Sequence, residues 1–296
     1  MKHRALGPGV IHVVIPDTQV KPDVPTDHLS WIGQYIVDRF AGRPNVRIIH
    51  LGDHADMPSL SSYDAGKKAM EGRRAKADIA AANAGFDLLC KPMEDFNAKA
   101  RADKKRLWTP DKHIALGNHE DRITRACENN AQIDGLLSLD MLNYAAHGFT
   151  VHPFLEPFYL DGVGYAHYWV NHMTGKPLGG MPITRLKQVG HSFTMGHQQT
   201  YDTALRFVVD PETGEARSQR ALIAGACYLH DEDYKGPQGN AHWRGILVCH
   251  EVERGSYSLM EVTLDYLARR YSGKPLTYWQ GVARRMHEDA EKRIAA

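Results

Sequence analysis

The sequence predicts an α/β fold whose first half rests on parallel strands. Three observations point there: short apolar runs rich in β-branched residues, amphipathic helical stretches between them, and the same polar ending on each run. The first run, VIHVVIP at 10–16, stops at Pro16 and Asp17 and reads as a buried strand. Thr26 and Asp27 can cap the next helix, in which Leu29, Ile32, Ile36 and Phe40 recur at helical spacing. VRIIHLGD at 46–53 is a second strand ending in Gly52-Asp53. Ile79, Ala82, Phe86, Leu89 and Met93 then mark one face of a long helix, and KHIALGNHE at 112–120 is a third strand that stops at Gly117-Asn118. Strand, helix, strand, helix, strand at these separations implies parallel pairing through crossovers.

Beyond Asp161 the texture changes to short strands separated by turn residues: GVGYAHYWV, SFTMGHQQT, TALRFVVD, RALIAGACY and WRGILVCHEV, with a turn at 210–215. This half reads as mostly antiparallel. A charged helix is expected over about 274–296, after a core of about 8–265. No repeat, low-complexity tract or Pro/Gly/Ser linker divides the chain, so one domain over 1–296 is expected.

Composition narrows the class. The 296 residues are 43% hydrophobic and 24% charged, within the globular range, and a net charge of +1 excludes a uniformly basic or acidic surface. Cys90, Cys127, Cys227 and Cys249 form no C-x-x-C pair. Without a secretory signal they read as reduced thiols of a cytoplasmic protein, and no apolar run is long enough for a membrane span.

Three early strands end alike, in Asp17-Thr18-Gln19, Gly52-Asp53-His54-Ala55-Asp56 and Gly117-Asn118-His119-Glu120. Each alone reads as a turn or a helix start. Carboxyl ends of neighbouring parallel strands lie side by side, so together they gather Asp17, Asp53 and Asn118, and clustered carboxylates call for cations. His167, after VGYA, and His197, after FTMG, add imidazoles. His191 lacks a strand leading into it, and His172 is the weaker substitute for His167.

The ordered set D-x-Q, G-D-x-x-D, G-N-H-E, H and G-H-x-Q, over residues 11–199, resembles the calcineurin-like metallophosphoesterase superfamily. The resemblance implies a two-sheet β-sandwich flanked by helices in four αββα layers, with a dinuclear metal centre at the strand ends. It implies that Asp53 bridges two ions, that Asn118, His167 and His197 complete one, and that Asp17 belongs to the other. It implies His119 as proton donor to the leaving group, oriented by Asp56. The family usually has His where this chain has Gln19 and Gln199, and often Gly where it has Tyr168. Gln19 is then a substituted ligand or an amide bonded to one. An oxygen-rich first site, with Asp17, Asp53 and the amides of Gln19 and Gln199, favours Mn²⁺, with Mg²⁺, Fe or Zn²⁺ as alternatives. That ion is expected to bind weakly.

Other motifs fall short. GHSFT at 190–194 lacks the last Gly of a nucleophile elbow, and HEDRI, HEVER and HEDAE do not close as H-E-x-x-H. No Walker A loop occurs, and GVG at 162–164 lacks the rest of a dinucleotide fingerprint. Arg122 and Arg185 are either phosphate clamps or ordinary helix arginines. The stretch 227–245 reads as a substrate-side loop or a hairpin packed on the core, with His230, Tyr234 and Trp243 as candidate substrate contacts. The basic runs at 71–76 and 99–106 follow a phosphate backbone or form a solvated helix face. The expected function is metal-dependent phosphoester hydrolysis, leaning towards DNA, RNA or nucleotide diesters. The alternatives are a phosphomonoesterase or a binding protein with a half-disabled metal site.

Overall fold

The computed structural model describes residues 9–64, 66–67, 70–209, 213–232 and 235–295. Tyr234 and part of the 210–215 turn lie outside the described residues.

In chain order the strands and helices are β1 (Ile11–Ile15), α1 (Asp27–Phe40), β2 (Val46–His50), α2 (Ala75–Ala102), β3 (Asp111–Ala115) and α3 (Asp121–Asn129). They continue with β4 (Thr150–His152), β5 (Phe158–Leu160), β6 (Val163–Ala166), α4 (Pro182–Val189), β7 (Phe193–Met195), β8 (Tyr201–Val209) and β9 (Ala216–Ala224). The last are α5 (Gly236–Asn240), β10 (Gly245–Glu253), β11 (Ser256–Thr263), α6 (Leu264–Ser272) and α7 (Leu276–Ala295). One six-stranded sheet runs β11-β10-β1-β2-β3-β4, and a five-stranded sheet runs β5-β6-β7-β9-β8.

The three early strands pair as expected, β1 with β2 and β2 with β3 in parallel, and a short strand not anticipated from the sequence, β4, adds to β3 in parallel. In the second half the pairing is mixed. β6, β7 and β9 form a parallel core, flanked by antiparallel β5 and β8. The eight-residue helix α4 lies in the β6-to-β7 connection, too short to impose a helical signature on the sequence.

Period-two alternation sorts each strand's residues onto two faces. Val13, Ile15, Ile48, Ile114, Ile246 and Val248 pack towards Leu29, Ile32, Ile36, Phe86 and Leu89 of α1 and α2. Val14, Ile49, Ala115, Leu247 and Cys249 pack instead against Val163, Tyr165, Leu222 and Ala224 of the second sheet. The outer face of that sheet, with Phe193, Met195, Ala221 and Ile223, meets Leu186 of α4. The order is therefore helices, sheet, sheet, helix, a mixed α/β sandwich. Burial on both faces explains why the inner strands read as continuous apolar runs.

Buried polar pairs join the sheets: His12 of β1 lies 2.6 Å from the Tyr165 hydroxyl and 2.9 Å from Asp161. α7 is tied back through Trp279, edge-on to Trp31 at 5.0 Å, and through Arg293 on Asp23 at 2.6 Å. The cysteines are free thiols. Among the described residues no helix is long and apolar enough to cross a membrane.

Candidate metal centre

Parallel strands from both sheets bring the marked residues to one end. Asp17 follows β1, Asp53 follows β2, Asn118 follows β3, His167 directly follows β6, and His197 follows β7. The loops are stitched to one another: Thr18 and Gln19 amides donate to Asp53 O at 3.2 and 2.9 Å, Cys227 N to Asp17 O at 2.8 Å, and Gly196 N to His167 O at 3.0 Å.

The local backbone is strained where the polar residues turn inwards. Gln19, Asp53, His197 and Gln199 have φ of 44°, 48°, 66° and 57°, in the left-handed region disfavoured for residues with a Cβ. Two glycines are demanded by contact. A Cβ on Gly117 would stand 2.0 Å from Asp53 Oδ1, and one on Gly196 would stand 2.4 Å from Asp17 Oδ1.

Glu120, the last residue of G-N-H-E, is fully buried and organises this end rather than facing a ligand. Its Oε2 accepts from the amides of Asp53 and Gly117, each at 2.9 Å, and its Oε1 from Ala55 N at 2.9 Å and the Tyr144 hydroxyl at 3.1 Å. Burial and the Asp53 charge push its pKa up.

Asp53, His167 and His197 place one donor atom each within 4.8 Å of the others. His167 Nδ1 donates to Leu51 O at 2.8 Å, which turns Nε2 towards Asn118 Oδ1 at 3.0 Å and Asp53 Oδ2 at 3.4 Å. His197 Nδ1 lies 2.7 Å from the same Asn118 oxygen. His167 Nε2 and His197 Nδ1 thus converge on one atom of the Asn118 amide, a meeting that a ring proton, the amide NH₂ or a metal ion can satisfy. The donor set of one carboxylate, one amide oxygen and two imidazoles fits a divalent metal ion. Burial lowers the His167 pKa, but the Asp53 charge outweighs it and raises it to about 9. Burial and His167 depress His197 to about 4. Although burial raises the Asp53 pKa, His119 and His167 hold it below the usual carboxylate range.

Beside this cluster His119 donates from Nδ1 to Asp56 Oδ1 at 2.7 Å, and its Nε2 lies 3.8 Å from Asp53 Oδ2. Burial lowers the His119 pKa, yet the Asp53 charge and the Asp56 hydrogen bond raise it overall. Arg122 donates to Asp56 O at 2.7 Å and reaches within 3.2 Å of His119 Nε2, so this arginine does stand at the site. Asp56 Oδ2 pairs with Lys21 at 3.1 Å, which also holds Glu232 at 2.8 Å. Burial raises the Asp56 pKa, but Lys21 and His119 draw it well below normal.

On the other side, Asp17 accepts from His197 N at 3.0 Å, while its buried Oδ2 has no hydrogen-bond partner among the described residues. Burial raises the Asp17 pKa to about 7. Gln19 Nε2 donates to Asp53 Oδ2 at 3.3 Å. Gln199 Oε1 accepts from the Tyr228 hydroxyl at 2.9 Å and from Lys235 Nζ.

The remaining candidates are engaged with other protein groups. Buried Arg185 donates to Gln198 Oε1 at 3.0 Å and so braces the His197 loop from α4. His230 is buried on Glu232 at 2.9 Å, and Trp243 packs against Tyr201 at 4.9 Å and close over Gly225. Sequence reading passed over Lys21, Glu232, Tyr228 and Lys235. The Lys21–Glu232 pair spans 211 residues, and no local pattern signals such a contact. The basic run at 99–106 precedes β3, whose opposite end carries Asn118, so it lies away from the cluster.

No protein-family model matches the chain, and no curated protein matches it significantly in sequence.

Proposed function

We propose that the chain is a metal-dependent phosphoester hydrolase of the calcineurin-like metallophosphoesterase kind. One observation carries the reading: a convergent, metal-compatible cluster of Asp53, Asn118, His167 and His197 adjoins an imidazole, His119, that is held by a carboxylate and kept outside the cluster. A divalent ion there supplies positive charge for phosphoryl oxygens and acidifies water. Mn²⁺ is the first candidate, because carboxylate and amide oxygens share the site with the imidazoles.

His119 supplies the proton. Asp56 accepts from Nδ1, which fixes the ring and leaves Nε2, now facing the Arg122 guanidinium at 3.2 Å, to protonate the departing oxygen once Arg122 turns to the phosphoryl group. Arg122, beside Nε2, offers guanidinium donors to a phosphoryl group and loses little freedom, since it is already anchored on Asp56 O. The Tyr168 ring stands 4.7 Å from His197 and gives a nucleobase a surface to stack on, which favours nucleotide or nucleic-acid diesters as substrates.

The test is hydrolysis of bis-(p-nitrophenyl) phosphate beside p-nitrophenyl phosphate by metal-stripped protein, with Mn²⁺, Mg²⁺, Zn²⁺ or no ion. Diester cleavage restored by Mn²⁺ and abolished in Asp53→Asn is expected. Preference for the monoester would move the substrate class, and no turnover by folded protein with any ion would leave a binding role.

A further inference from the structure

The Asp17 side of the cluster does not offer a second metal ion the lone pairs it needs. Lys235 can only donate hydrogen bonds, so the Gln199 atom it meets must be the amide oxygen, and the Tyr228 hydroxyl bonds to that same oxygen at 2.9 Å. Both lone pairs of Gln199 Oε1 are thereby used. Gln19 turns its NH₂ group, a donor, to the Asp53 oxygen at 3.3 Å. The buried Asp17 Oδ2 has no hydrogen-bond partner among the described residues.

A cation is nevertheless present on that side. Lys235 Nζ bonds to Gln199 and lies 3.1 Å from the Tyr228 hydroxyl. The chain that delivers it is fastened to the Asp17 loop, through Cys227 N on Asp17 O at 2.8 Å and the bridge between Asp17 and Ala226. The ammonium of lysine is a compact point charge, able to face a carboxylate and a phosphoryl oxygen together, and it repels a dication placed beside it.

We propose that the centre holds one divalent ion, on Asp53, Asn118, His167 and His197, and that the Lys235 ammonium stands in for a second. Lys235 balances Asp17 and presents its charge to the phosphoryl oxygens. Gln199 fits this role: a neutral amide orients an ammonium, where an imidazole would recruit a metal. The proposal rests on the metal-dependent hydrolase reading above.

Equilibrium dialysis against Mn²⁺ alone, with metal analysis and electron paramagnetic resonance, tests it on the full chain. Wild-type protein should bind one Mn²⁺ per chain and give the six-line spectrum of an isolated ion. Lys235→Met, or Lys235→Met combined with Gln199→His, should bind two at millimolar Mn²⁺ and give the spectrum of a coupled pair, with circular dichroism unchanged. Two coupled ions in the wild type would overturn the proposal and leave the hydrolase reading standing. One ion in every variant would overturn the role of Lys235. No ion bound to folded wild-type protein would overturn the metal centre itself.

Discussion

Asp56 is flanked by three cations, with His119 at 2.7 Å, Lys21 at 3.1 Å and Arg122 at 3.6 Å. It therefore stays ionised, and an ionised Asp56 keeps His119 protonated above the usual range. Held up by the Asp53 charge and the Asp56 hydrogen bond, the acid form of His119 persists to higher pH than that of an ordinary histidine and is lost as pH rises through its raised pKa. His119→Asn should lower kcat by about 10²- to 10⁴-fold, the usual worth of a general acid, with bound Mn²⁺ unchanged. Asp56→Asn should move the alkaline fall in rate to lower pH. An unshifted pH profile would separate Asp56 from the acid. The pairing of His119 with Asp56 was legible in the sequence because both sit in short motifs at strand ends. Lys21 and Glu232, which complete the charge balance, were not, because they meet only in the folded chain.

At the scale of the element, the loops after β2 and β3 interlock through Gly117 and Asp53. Gly117→Ala would push a methyl into the Asp53 carboxylate, 2.0 Å away, and overpacking of this kind costs about 1–3 kcal/mol. The variant should lose several degrees of Tm and most of its Mn²⁺ binding. An unchanged Tm and metal content would mean that the two loops move independently. β1 to β3 could be read in advance because long helices separate them and set the crossover spacing. The parallel pairing of β6, β7 and β9 could not. β6 has four residues and β7 three, and their pairing is decided by side chains across the inter-sheet core rather than by local pattern.

At the scale of the molecule, burial of histidines sets the response to acid. Burial lowers the pKa of His28 to about 3 and that of His54 to about 4, against the ordinary 6.5. Below pH 6.5 the unfolded chain binds protons that the folded one refuses, so stability falls as pH falls towards 4. Glu232, held at about 2 against burial by Lys21, adds a further loss once pH drops below the ordinary 4.5. Metal-free protein should therefore lose Tm progressively from about pH 6.5 downwards, because the depressed histidines outnumber Asp17, whose burial-raised pKa of about 7 opposes the fall. A flat Tm down to pH 4.5 would contradict this.

The four cluster residues come from two sheets: Asp53 and Asn118 from the six-stranded one, His167 and His197 from the five-stranded one. An ion held by all four is a cross-link, closing a chain loop from 53 to 197 as a disulfide would, and long loops gain most from closure. Unlike a disulfide, it forms without an oxidant and opens by exchange with solution. On the proposed metal reading, the cohesion of the two halves would be set in part by the free concentration of the metal around the protein.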